Sequence, residues 1–339
     1  FSVIINLMIK KIIVYILLVF SIIATVFFIS FTTKAFFSIY DKYKEKNNKI
    51  KFLEGTHSEQ STPLFCFQSA MKLASNTDTE LPEIPPLGTI PNTKKKISKN
   101  NIINFDKFGF RNKKFVWEEK KHNYLVLGDS VVMDKNIEDN FLFSNNFNKS
   151  KTINLGCGGN GLLTSLYLLE QILAADYKFN NVLFFINLKN DFSKDTLREY
   201  NTVYFKNYLF TNNVKKNIFL DANYKEEYLS FIENSFIKDV ENFSILSIIK
   251  NEFTFNNIIN EFDSLVKKKE RVPNKIITLN DGSEIDQSLL PEGYYGEEMY
   301  EIFLKILEKI VSLKQKYNTN LTMLIVPTNS EIELYNKTD

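Results

Sequence analysis

Apolar positions along this chain fall into three patterns: one long unbroken run, several short runs that each end in a polar turn, and two stretches with helical spacing. The long run is Ile12 to Thr33, which carries no charge. As a helix it spans roughly 33 Å, enough to cross a bilayer core. Lys10 and Lys11 precede it and Lys34 ends it. No small-residue cleavage site follows. The expected element over residues 8–33 is therefore an uncleaved transmembrane signal anchor, in preference to a removed signal peptide or a buried core helix. Met8-Ile9-Lys10-Lys11 reads as a start, with residues 1–7 upstream of it. Lys34, Lys42, Lys44, Lys46, Lys49 and Lys51 follow the run, and charge counting alone would hold that side in the cytoplasm. Long domains translocate regardless of charge, so the expected orientation is outward.

The short runs read as buried strands. Tyr124 to Leu127 leads into Gly128-Asp129-Ser130. Ile153 to Leu155 leads into Gly156-Cys157-Gly158-Gly159-Asn160-Gly161. Asn181 to Ile186 leads into Asn187 to Phe192, and Leu321 to Val326 is stopped by Pro327. Helical spacing appears over Leu162 to Ala175 and over Glu297 to Lys316, where Met299, Ile302, Phe303, Ile306, Leu307, Ile310 and Leu313 recur at i, i+3 and i+4. Strand, turn and helix in this order predict a parallel α/β sheet. Residues 34–100, with proline patches at 81–86 and 90–91, read as a tether. Its basic stretch from Lys94 to Lys99 reads as solvated. Residues 196–290 hold no stable period and are expected to form a cap insertion.

Composition narrows the function classes. The chain has 339 residues, 44% hydrophobic, enough for a sizeable core. With 42 basic and 40 acidic side chains, it gives no reason to expect nucleic acid as a partner. Cys66 and Cys157 have no metal-ligand spacing. A disulfide between them is open to an oxidising compartment, but the preferred reading gives Cys157 a loop role of its own. No cofactor is implied. Histidine is scarce: only His57 and His122 are present.

Ser130 stands where open α/β sheets bind ligands, beyond the carboxyl end of a strand. It is the candidate nucleophile. Acyl transfer also needs donors aimed at the developing oxyanion. The backbone N–H groups of Ser130 and Gly159 and the side-chain amide of Asn190 are the candidates, one from each of three strand ends. Asp129 and Asp191 are expected to hold their turns. Asn160 and Lys189 belong to the same loops, as substrate contacts or solvated residues. Arg111, in Phe108-Gly109-Phe110-Arg111, is expected to anchor its loop rather than act at the site.

Gly128-Asp129-Ser130, Asn154 to Gly161 and Lys189-Asn190-Asp191 together resemble three blocks of the SGNH (GDSL-type) hydrolase family, and Phe105 to Asn112 resembles a lead-in of its bacterial membrane-anchored members. The resemblance is specific over 105–192 and only topological over 297–327. It implies a flavodoxin-like three-layer α/β/α fold over 101–339. It also implies ester hydrolysis or acyl transfer on an envelope carbohydrate or lipid, with Gly159 as the oxyanion glycine and Asn190 as the oxyanion asparagine. Asp134 replaces a usual glycine, Gly158 a usual small hydroxyl residue and Lys189 another glycine. The family's Asp-x-x-His block is missing. His122 lies at the far end of the strand that leads to Ser130, over about 20 Å away for eight residues at roughly 3.3 Å each. His57 lies in the tether. The expectation is that the chain stops before the block that carries the base. Two other readings stay open: a non-catalytic, membrane-tethered binding or assembly protein, and a module that binds phosphate at the Gly-rich loop.

Overall fold

A computed structural model describes residues 2–54, 66–96, 102–134, 137–139, 142, 144, 151–187, 195–211, 216–244, 276–278, 284–286 and 296–326. The chain divides into two compact units. One comprises Phe1–Lys49 with Val240–Pro273, the other Ile50–Asp239 with Asn274–Asp339.

The first unit is built on helix α1 (Ser2–Leu53), whose last four residues belong to the second unit. It is one helix long and apolar enough to cross a membrane. Ile16, Leu17, Phe20, Ile23 and Phe28 are all exposed on it, as lipid-facing side chains would be. The helix does not end at Lys34 but continues for about five more turns. Residues 35–53 contain neither Gly nor Pro, and Glu45 pairs with Lys49 one turn on at 2.6 Å. That part of the expected tether is helix.

The second unit holds the sheet. Strands β1 (Lys94–Lys96) and β2 (Ile102–Asn104) form an antiparallel ribbon. Strands β3 (Lys121–Leu127), β4 (Thr152–Asn154), β5 (Lys178–Asn187) and β8 (Asn320–Val326) form a parallel sheet in the order β4-β3-β5-β8. Strands β6 (Ile276–Thr278) and β7 (Glu284–Asp286) form a separate two-stranded antiparallel sheet. The four parallel strands fall within two or three residues of the expected runs. Short apolar segments bounded by turns suit a fully hydrogen-bonded interior strand. The order reverses at β3, so its carboxyl end is a topological switch point, where sheets of this kind bind ligands.

Helices of this unit are α2 (Phe67–Thr77), α3 (Ser130–Met133), α4 (Leu162–Ala174), α5 (Thr196–Tyr200), α6 (Val203–Thr211), α7 (Tyr224–Glu241) and α8 (Gly296–Tyr317). One large core joins α2, α4, α6, α7 and α8 to the sheet face bearing Leu125, Leu127, Ile153, Val182 and Phe184. The opposite face, offset by one residue as strand alternation requires, carries a small cluster of Val126, Val132 and Leu183 flanked by Tyr124 and Phe185. The described residues thus give an α/β unit with its helices packed chiefly on one sheet face.

Two expectations change here. Residues 66–93, read as tether, belong to the core: Phe67, Ala70, Ile84, Leu87 and Ile90 are all buried. The prolines at 82, 85, 86 and 91 stiffen a segment laid across the core rather than a solvated spacer. Residues 196–211 and 216–239, read as the start of a cap, also belong to the core through Phe205, Tyr208, Tyr228, Ile232 and Phe236. Their aromatic side chains pack edge to face, for example Phe67 on Phe205 at 4.8 Å, and such packing needs no single helical period.

Candidate active site

The turn after β3 is built around Asp129. Its Oδ1 accepts from the Val131 N–H at 2.8 Å, capping α3, and its Oδ2 accepts from the Ser130 hydroxyl at 3.0 Å. Ser130 opens α3 and is exposed. Asp134 closes that helix in a left-handed conformation (φ 35°, ψ 72°), its N–H donating to the Ser130 carbonyl at 2.8 Å. This position, where the resemblance leads one to expect glycine, therefore has a backbone that favours glycine.

The Gly-rich loop lies against this turn. Beyond β4, the Leu155 N–H donates to Val126 O and the Cys157 N–H to Gly128 O, so the loop keeps following β3. Gly156 is obligatory: a Cβ there would stand 2.4 Å from Val132 Cγ1 and 2.9 Å from the Met133 nitrogen. At Gly158 a Cβ would stand 3.8 Å from Ser130 Cβ, which measures how closely the loop approaches the candidate nucleophile. Gly159 has φ +79°, and its open side faces Gln68 of α2 at 3.6 Å. A disulfide between Cys66 and Cys157, with Cα atoms 5.8 Å apart, pins the start of α2 to this loop. Both cysteines are thus paired, against the preferred sequence reading. The pairing follows from the folding-back of residues 66–93, which carries no local periodic signal.

At the end of the loop, the amino terminus of α4 is sealed by the chain itself. The fully buried Glu199 carboxylate accepts from the N–H groups of Gly161 (2.6 Å), Leu163 (3.0 Å) and Thr164 (3.1 Å) and from the Thr164 hydroxyl, while Thr196 Oγ1 accepts from Leu162 N–H. These are the donors a bound phosphate would use. Burial pushes the Glu199 carboxyl up to about 7, against the pull of these hydrogen bonds.

A second network holds the loop from below. Asp106 accepts from the N–H groups of Phe108 and Phe110, from Asn112 Nδ2 and from Trp117 Nε1. Burial raises its carboxyl to about 6. Asn112 joins this turn to Asn154, and Asn154 in turn donates to Val132 O and Ser144 Oγ and accepts from Gly156 N–H. Arg111, almost wholly buried, pairs with Asp139 at 2.8 Å and donates to the carbonyls of Met133, Asp134 and Ile137. It does more than anchor its own loop, the expected role: it pairs with a carboxylate and ties down the segment after Ser130. Asn112, Asn154, Gln68 and Glu199 are supporting residues that sequence reasoning missed. Asn112 and Asn154 adjoin segments already singled out, whereas Gln68 and Glu199 sit where no chemistry was expected.

Of the expected site residues, the fold brings Ser130 and the Gly158–Gly159 loop together. Asn190 lies outside the described residues, three positions past the end of β5, as do Lys189, Asp191 and His57. Asp129 holds its turn. His122 stands at the start of β3, opposite Ser130. It is stacked beside Tyr177 and Phe179 with Nε2 2.9 Å from Glu119 O, and burial lowers its pKa. Comparison with protein-family models, with curated proteins and with solved structures gave no match.

Proposed function

We propose that this protein is a membrane-anchored serine esterase or O-acyltransferase of the SGNH type, acting on an ester of an envelope carbohydrate or lipid. The observation that carries the reading is an exposed Ser130 at the carboxyl end of a central parallel strand, with the Gly158 backbone beside its Cβ. The strand order supports it, since β4-β3-β5-β8 is the 2-1-3-4 start of the flavodoxin-like order.

In this reading the Ser130 oxygen attacks the acyl carbon as its proton passes to a general base. The carbonyl oxygen gains negative charge and accepts from the N–H groups of Ser130 and Gly159 and from the Asn190 amide. Collapse expels the alcohol, which takes up a proton, and leaves an acyl-serine. Water or an acceptor hydroxyl then removes the acyl group. Asp129 orients the hydroxyl. His122, at the far end of the strand that leads to Ser130, has a structural role. The Cys66–Cys157 disulfide supports an outward-facing unit, because such bonds persist in oxidising compartments.

The second reading is a tethered, non-catalytic binding protein. It is favoured by the one partner that Ser130 Oγ has among the described residues, Asp129, which is also what a serine with only a turn-forming role would have. Hydrolysis of 4-nitrophenyl acetate and of acetylated oligosaccharides by the full-length protein separates the two. The enzyme reading expects turnover that Ser130→Ala abolishes. Turnover absent, or indifferent to that change, supports the binding protein.

A further inference from the structure

Beside Gly159 lies a cleft of about 590 Å³, lined by Phe67, Gln68, Ser69, Met71, Lys72, Arg198 and Thr202. That volume suits a small ligand or one unit of a polymer. Its wall is α2 on one side and the α5 region on the other. It adjoins the candidate oxyanion loop directly, because Gln68 is the residue that the open side of Gly159 faces.

The charge of this cleft is positive. Among the described residues lining it, Lys72 and Arg198 are the charged ones. Asp195 stands 3.6 Å from Arg198 and offsets part of one charge. The Arg198 side chain is 56% exposed, and its Nη1 donates to Gln68 Oε1 at 3.2 Å. That bond holds the guanidinium at the boundary between cleft and glycine loop and leaves its other N–H groups for a ligand. Gln68 Nε2 is buried with no acceptor among the described residues, a further unsatisfied donor at the same boundary. Ser69 adds a hydroxyl, whereas that of Thr202 is engaged with Glu199 O at 2.6 Å, and Phe67 and Met71 give an apolar floor.

We infer that this cleft is a substrate subsite for an anionic group, a carboxylate or phosphate borne by the saccharide next to the ester, with Arg198 and Lys72 as the recognising cations. An arginine fork matches such oxyanions in two simultaneous hydrogen bonds, and lysine adds a movable point charge. The neutral acyl and alcohol parts would then lie toward Gly158 and Ser130. The inference rests on the acyl-transfer reading of Ser130 and deepens it, from an envelope ester in general to an ester on an acidic saccharide.

Calorimetry on the full-length protein tests it with three probes: trigalacturonate for the carboxylate, glucose 6-phosphate for the phosphate, and maltotriose as the neutral control. At least one anionic probe should bind about tenfold or more tightly than maltotriose, and Arg198→Ala should remove about that factor, the range of a charged hydrogen bond. Lys72→Ala, at an exposed position, gives a second reading should Arg198→Ala lower stability. Which anionic probe binds tells carboxylate from phosphate. Equal affinity for charged and neutral probes, or an anion preference that survives both substitutions, overturns the inference. The hydrolysis assay on wild type and Ser130→Ala, run beside these titrations, keeps the two claims apart. An anion preference without Ser130-dependent turnover leaves the subsite and removes the enzyme, and turnover without the preference does the reverse.

Discussion

The side chain of Asn112 and the backbone of Asn154 exchange two hydrogen bonds, Nδ2 to Asn154 O and Asn154 N–H to Oδ1, each 2.8 Å. The asparagine thereby acts as an extra strand residue at the edge of the parallel sheet, beside the last residue of β4. Because Asn154 also binds Val132 O and the Gly156 N–H, this pair sets the height of the glycine loop against α3. Asn112→Ala should therefore cost about 3 kcal/mol, the loss of these two hydrogen bonds and of the one Nδ2 donates to Asp106, with a backbone donor and acceptor left unpaired. Urea titration measures it. Asn112→Asp keeps the acceptor for Asn154 N–H but sets an anion against Asn154 O and Asp106, and should cost at least as much.

The disulfide joins residues 91 positions apart. Closing a loop of that length stabilises the folded state by about 4.6 kcal/mol in the chain-entropy account. Dithiothreitol should lower the urea midpoint of the wild type and leave a Cys66→Ser/Cys157→Ser variant unmoved. Hydrogen exchange should rise first in α2 and at Gly158 to Asn160, the two segments that the bond joins.

Glu199 makes stability depend on pH. The folded protein holds its proton up to about pH 7, whereas an ordinary glutamate releases it near 4.5. Between those values the folded state binds more protons, so this residue's contribution falls as pH rises and is lowest above 7. The displacement corresponds to about 3 kcal/mol. His122 acts the other way: burial lowers its pKa, so its contribution is lost as pH falls through the ordinary histidine value. The comparison of wild type with Glu199→Gln isolates the glutamate. The wild type should lose stability from pH 5 to 7.5 relative to the variant, as measured by urea midpoints at each pH.

Arg111 is buried, with four acceptors around it: Asp139 and the carbonyls of Met133, Asp134 and Ile137. Lysine cannot reproduce that fork. Arg111→Lys should cost about 2 kcal/mol, because the ammonium has three donors for four acceptors and leaves at least one carbonyl unsatisfied. It should also raise proteolysis after Met133, read by limited digestion and mass spectrometry.

What was legible in the sequence was what leaves a local trace. Tyr124 to Leu127, Asn181 to Ile186 and the i, i+3, i+4 face of α8 are short-range patterns that burial imposes directly. The Ser130 turn and Gly156 to Gly161 were legible because close backbone approach demands small residues. Features made by long-range pairing were not. Cys66 meets Cys157, Glu199 meets Gly161 and Asn112 meets Asn154 only after the chain has folded back, and no spacing announces those partners. The continuation of α1 through residues 35–53 was missed for another reason. Its lysine-rich sequence is compatible with a solvated linker and with an exposed helix alike, and the absence of Gly and Pro was the overlooked signal.

The most direct test of the central claim is covalent. The full-length protein, in detergent or its own membrane, is treated with a fluorophosphonate and the modified peptide is mapped by mass spectrometry. A catalytic hydroxyl predicts a single adduct on Ser130, absent in Ser130→Ala. An unmodified Ser130, or an adduct that persists in that variant, contradicts the account.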